Sequence, residues 1–167
     1  MKIRLSEVHE IQQIQMQRIA AYEEHARKLS DVHWEGLKSA ISSGSREEGG
    51  AEVLVAEIEG KIVGSVVLYP GNTDAYKGLF TVSAHPEIRM LAVDTHARKQ
   101  GVARQLIEEC IRRSEENGCE YIGLHTGEFM EDAIRLYEKI GFQHQPKKDF
   151  EPVNDGVMVK SYILKIQ

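Results

Sequence analysis

The sequence predicts an α+β domain in which a central mixed, mostly antiparallel sheet is packed by about four helices. Three observations carry that reading. The first is "AEVLVAEIEGKIVGSVVLYP", two β-branched runs around Glu59-Gly60 that read as a hairpin. The second is "PEIRMLAVDTHARKQGVARQLIEECIRR", an apolar strand handing over to an amphipathic helix through a turn with a glycine. The third is the order of periodicities along the chain, β α α β β β α β α β β, which alternates helices with strands yet includes an antiparallel pair.

The elements follow in order. Residues 1–5, "MKIRL", alternate and open with a strand. From Ser6, a candidate N-cap, Val8, Ile11, Ile14 or Gln15, and Arg18 or Ile19 recur at helical spacing. A second helix is predicted from Ser30 or Asp31 to near Gly44, followed by a glycine-rich loop at 44–50. After the hairpin, 71–85 is loop-like in its first half and ambiguous beyond Leu79. Pro86 suits a strand's first residue, where its missing N–H costs nothing. Beyond Gly101, Val102, Ala103, Leu106, Ile107, Cys110, Ile111 and Ser114 mark one helical face, closed by Gly118, with Cys110 assigned to core packing. "CEYIGLHT" is a buried strand. Ala133, Ile134, Tyr137 and Ile140 form the stripe of a last helix, which Gly141 and Phe142 end in a Schellman turn. A final strand is predicted at 157–165.

Composition narrows the function classes. The chain of 167 residues forms one domain, 1–167, with 41% hydrophobic and 28% charged residues. A net charge of −5 argues against a general nucleic-acid binder. The first residues lack a signal peptide's apolar core, and there is no run of about 18 apolar residues to span a membrane, so the expectation is a soluble, cytoplasmic protein. Cys110 and Cys119 make neither a CxxC pair nor a zinc spacing, so no metal is expected. The turn itself suits a phosphate: Gly101 admits a close ligand approach, and the next N–H groups have no intrahelical partner. An ordinary strand-to-helix turn with solvated cations fits the local pattern equally well. The Walker and dinucleotide glycine patterns are absent.

Arg98-x-x-Gly101-x-Ala103 resembles the acyl-CoA-binding signature (Q/R)-x-x-G-x-(G/A) of the GNAT N-acetyltransferases. "EIRMLAVD" resembles the strand before that signature, and "AIRLYEKIGF" the family's A-x-x-L-Y-E-K-x-G-F segment downstream. The resemblance covers essentially the whole chain and implies a three-layer fold with a splayed sheet. It also implies acetyl transfer from acetyl-CoA to a primary amine of a small molecule or peptide, by direct attack in a ternary complex. Leu91, Ala92 and Val93 would offer backbone groups to the pantetheine amides. The N–H groups of Gln100, Gly101, Val102, Ala103 and Arg104 would cradle the pyrophosphate, with Arg98, Lys99 and Arg104 adding charge. Tyr137 holds the position that protonates the departing thiolate. Glu87 is the first candidate for the base, acting through water, and His85 and His125 are further candidates. Met130 replaces an asparagine that the family often uses to hold the cofactor.

By the same resemblance, acceptor choice falls to 22–45, 70–84 and 146–156, which contain Tyr22, His25, His33, Trp34, Tyr76, Phe80 and Phe150. They also contain Glu23, Glu24, Asp31 and Asp155, which would favour a cationic amine if they lined a pocket and are a solvated charged face otherwise. The alternative function is a catalytically silent acyl-CoA-binding or sensing module. A C-terminal edge strand leaves a homodimer open.

Overall fold

A computed structural model describes residues 1–43, 48–72 and 83–167; much of the predicted loops at 44–50 and 71–85, with Tyr76 and Phe80, lies outside the described residues. The strands are β1 (Lys2–Leu5), β2 (Glu52–Ile58), β3 (Lys61–Tyr69), β4 (Glu87–Val93), β5 (Tyr121–Gly127), β6 (Gln143–His144) and β7 (Val159–Lys165). The helices are α1 (Ile11–Tyr22), α2 (Asp31–Ser43), α3 (Val102–Glu116) and α4 (Glu131–Ile140). The strands form one sheet in the order β1-β2-β3-β4-β5-β7-β6. Its pairings are antiparallel except β4–β5. Among the described residues no helix is long and apolar enough to cross a membrane.

Two cores lie on opposite faces of the sheet, giving three layers. On one face Leu106, Ile107 and Cys110 of α3 and Tyr137 of α4 pack against Leu54, Val66, Ile88 and Leu124. On the other, Ile14, Ala21 and Tyr22 of α1 and Ile41 of α2 pack against Val53, Val55, Val67 and Tyr69. β2 and β3 are apolar on both faces because each face is covered by helices, so alternation is lost and the β-branched run remains. The predicted helix endings hold: Phe142 N–H donates to Tyr137 O at 3.0 Å, and Gly141 has φ +116°.

The first helix begins differently from the expectation. Ser6 is no N-cap: its N–H donates to Val53 O at 2.8 Å, prolonging the β1–β2 pairing. A 3-10 turn, Val8–Glu10, then precedes α1 and rotates Val8 to the surface, where it is 70% exposed. The inward face of α1 is Ile14, Gln17, Arg18, Ala21 and Tyr22, so two strongly polar side chains are buried there.

Glu10 anchors this start. Its carboxylate accepts from Arg4 Nη2 at 2.7 Å and from Glu7 N–H at 2.8 Å, and these partners lower its pKa to about 2 from 4.5. A depressed folded pKa adds stability that is fully present above the unfolded value and is lost as pH falls from about 4.5 toward about 2. Glu10→Gln should therefore lower stability at neutral pH by about 1–2 kcal/mol, after discounting for solvent around Arg4, and flatten the loss between those pH values. Denaturant titration across pH checks this.

Candidate active site

β4 and β5 pair at Glu87–Gly123 and Ile88–Leu124, and no further register continues between them. Arg89 to Val93 stay with β3 on their other side, so β4 diverges from β5 and presents an open backbone edge. The divergence coincides with a bulge. Ser65 faces Ala92 and Val67 faces Arg89, leaving Val66 opposite both Met90 and Leu91. Met90 takes up the extra residue at φ +57°, a left-handed conformation that a methionine adopts only where the surroundings enforce it. Met90 thereby joins Ala92 in the α1-side core while Leu91 packs on the α3 side. The freed Leu91 carbonyl accepts from Tyr22 Oη at 2.9 Å.

The turn from β4 to α3 ends at Gly101, the N-cap, with φ +81°. The first intrahelical bond is Gln105 N–H to Gly101 O at 3.0 Å, so the N–H groups of Val102, Ala103 and Arg104 precede the ladder. A Cβ on Gly101 would meet nothing within 4 Å, which leaves room beside those groups. The helix start is fixed against β3 by Gly64, where a Cβ would lie 2.9 Å from Val102 Cγ1 and 3.2 Å from Ala92 O. Lys99 (φ +61°), Gln100 and Arg104 are exposed.

Arg98 is engaged within the protein. Its Nη1 donates to Glu24 Oε1 at 2.6 Å, its Nη2 to Ala21 O at 3.2 Å and its Nε to Val93 O at 3.3 Å. It clamps the end of α1 to the end of β4. Next to it, Ser65 Oγ donates to Gln17 Oε1 at 2.9 Å, and Gln17 Nε2 donates to Asp94 Oδ1 at 2.9 Å. This chain holds the end of β4 in place from within the α1 layer.

Tyr137 lies on the inward stripe of α4 with its ring edge-on to Phe142, centroids 5.9 Å apart. It is 4% exposed. Burial raises its pKa well above the ordinary phenol value, and the charges that act on it are those of Tyr22 and Cys110. Tyr137 is therefore a neutral phenol, as is Tyr22, whose pKa burial pushes up to about 12.

Glu87, at the start of β4, is buried between two imidazoles: His85 Nδ1 stands 3.7 Å from Oε1 and His125 Nδ1 3.5 Å from Oε2. The three sequence candidates for a base thus form one cluster. Gly123, opposite Glu87, makes room for it, since a Cβ there would lie 2.5 Å from His85 Cε1 and 3.2 Å from Glu87 Oε1. A glycine inside a strand is the signal that could have marked this spot.

The residues assigned to acceptor choice form two groups. His33 Nδ1 lies 2.9 Å from Asp155 Oδ2, which also accepts from Ser30 Oγ at 3.0 Å, tying α2 to the segment before β7. His25, whose pKa burial lowers, and His33 flank Phe129 with centroids at 5.3 and 6.1 Å. Phe150 pairs with Val159 and places its ring 6.1 Å from His125, beside the Glu87 cluster. Met130 is the N-cap of α4 and packs on the α1-side core.

Comparison with known proteins adds three findings. The family model described as acetyltransferase (GNAT) family matches residues 6–142. Among curated proteins, the uncharacterized N-acetyltransferase YsnE of Bacillus subtilis is 35% identical over 80 residues, 46% of this chain and 53% of that one. Human N-acetyltransferase 8 is 29% identical over 105 residues, 63% of this chain and 44% of that one, so the matched stretch spans about half the length of these relatives. Among solved structures, a GNAT-family acetyltransferase from Staphylococcus aureus Mu50 superposes with a TM-score of 0.74 at 14% identity, covering 99% of both chains. The yncA protein of Salmonella typhimurium, solved with its cofactor acetyl-CoA, gives 0.68 at 19% identity, covering 100% of this chain and 94% of that one.

Proposed function

Because the chain belongs to the GNAT acetyltransferase family, we propose that it transfers the acetyl group of acetyl-CoA to a primary amine by direct attack in a ternary complex. The observation that carries this reading is the divergence of β4 from β5 after Ile88, which leaves a strand edge open beside an unladdered helix start. The residues present fit the donor. The edge at Leu91, Ala92 and Val93 matches the alternating amides of a pantetheine arm. The open space at Gly101, with the N–H groups of Gln100 to Arg104, suits a pyrophosphate. Lys99 and Arg104 add charge there, while Arg98 shapes the site by holding its two walls.

The bound thioester supplies the acetyl group and a sulfur leaving group; the protein supplies the proton transfers. An alkyl ammonium, with a pKa of about 10.4, has no lone pair until it loses a proton. Glu87 takes that proton through water, with His85 and His125 flanking its carboxylate. Tyr137 gives its phenolic proton to the leaving sulfur, and its burial keeps that proton in place throughout the working pH range.

Release of free thiol from acetyl-CoA across a panel of amines tests the reading. Turnover with at least one amine is expected, and Glu87→Gln should lower kcat about 100-fold with acetyl-CoA affinity unchanged. Binding of acetyl-CoA without thiol release from any amine would instead identify a silent acyl-CoA module.

A further inference from the structure

Arg18 is the one fully buried arginine side chain among the described residues, 1% exposed on the inner face of α1. Only its Nη1 has a partner, the Ile41 carbonyl at 3.4 Å; Nε and Nη2 are shielded from solvent and have none among the described residues. Other arginines show what is missing. Arg4, Arg98, Arg112, Arg113 and Arg135 each pair with a carboxylate. Arg112 does so through the same two atoms, with Nε at 2.8 Å and Nη2 at 2.7 Å from the two oxygens of Glu109. Those two N–H groups point the same way and form the fork that grips a carboxylate edge-on. A cation buried without an anion is strongly disfavoured, and burial lowers the pKa of Arg18 accordingly.

The helix carries the fork to the α1 side of the site. Arg18 and Tyr22 lie one turn apart on the buried face of α1. Tyr22 is hydrogen-bonded to Leu91 O at the divergence of the sheet, and Tyr69 stands opposite Glu87 in the β3–β4 register. Of the acidic side chains that could attract a cationic acceptor, Glu24 is paired with Arg98 and Asp155 with His33, while Glu23 and Asp31 are exposed.

We propose that the orphaned Nε/Nη2 fork of Arg18 receives the carboxylate of the acceptor, so that the amine acetylated is that of an amino acid rather than of a polycation. The proposal rests on the acetyl-transfer reading and deepens it. The amino acid's carboxylate completes the ion pair that the chain leaves open, and its amine extends toward Glu87 and the open edge of β4. Attack of that amine on the thioester forms the amide and releases the thiol, with the balance of protons described above.

Turnover is measured with glycine, L-methionine, L-phenylalanine and γ-aminobutyrate, each beside its own carboxamide and beside spermidine. The acids are expected to exceed their carboxamides about 10- to 100-fold in kcat/KM. Arg18→Met should erase that preference mainly through KM, and Arg18→Lys should keep part of it. The melting temperature of Arg18→Met should hold or rise, because an unpaired buried charge is removed. Equal use of acids and carboxamides, with Arg18→Met changing only stability, would overturn the proposal while leaving acetyl transfer standing. Absence of thiol release from every amine overturns the acetyl-transfer reading instead. Calorimetry of N-acetyl-L-methionine against its carboxamide on the CoA-loaded protein then decides the fork alone: acid-selective binding lost in Arg18→Met supports it, and indifference to the carboxylate overturns it.

Discussion

Gly101→Asp should weaken acetyl-CoA binding about 100-fold, read by calorimetry, with a modest fall in melting temperature. Two costs act together. Gly101 has φ +81°, and a residue with a side chain pays roughly 1–2 kcal/mol to stay left-handed. The aspartate also places a negative charge at the helix start where the pyrophosphate must sit, which removes up to about 1 kcal/mol of dipole attraction and adds repulsion. Where the turn relaxes from this strain the cradle must be re-formed on binding, so the two costs together approach about 3 kcal/mol, close to two decades in Kd. The part of the strain that stays in the folded turn lowers the melting temperature modestly, although the new Cβ meets no atom within 4 Å. Gly101→Asn separates the costs: asparagine has the same size and left-handed tolerance as aspartate but no charge, so it keeps the backbone cost alone and should lose less. A loss as large for asparagine as for aspartate would show that conformation, not charge repulsion, governs the site.

Tyr137→Phe should lower kcat about 100-fold while acetyl-CoA binds as before. The substitution keeps the ring that packs edge-on to Phe142 and removes only the hydroxyl. The pH profile carries a second check. Burial disfavours the phenolate, so the folded pKa lies above the ordinary value and the proton stays on Tyr137 as pH rises through the assay range. An alkaline fall in turnover at or below the ordinary phenol pKa, about 10, therefore belongs to another group and should persist in Tyr137→Phe. Unchanged kcat in the variant would remove Tyr137 from the chemistry and leave it as part of the α3-side core.

The features visible in the sequence are those that depend on short-range pattern. The hairpin at Glu59-Gly60, the apolar stripe of α3, the Schellman end of α4 and the handover from β4 to α3 each rest on periodicity plus a turn residue, and each stands in the structure. Features set by tertiary contact were hidden. Helical spacing puts Val8, Ile11, Ile14 and Arg18 or Ile19 on one face; Ile14 and Arg18 are buried there, but the 3-10 turn shifts the phase, so Val8 is exposed and polar Gln17 joins the buried face. The bulge at Met90 left no trace, because a methionine with positive φ is imposed by neighbours rather than by its own preference. Arg98 looked like a cation for phosphate. Its long side chain turns back to Glu24 and Ala21, a choice that motif spacing cannot reveal. Glu87, His85 and His125 were separate candidates in the chain and become one cluster only because the parallel register sets Gly123 opposite Glu87.

The clamp made by Arg98 joins two layers at a single point. One guanidinium holds Ala21 O at the end of α1 and Val93 O at the end of β4. Loss of that one side chain would therefore release the helix end and the strand end together, and neither could be loosened through it alone.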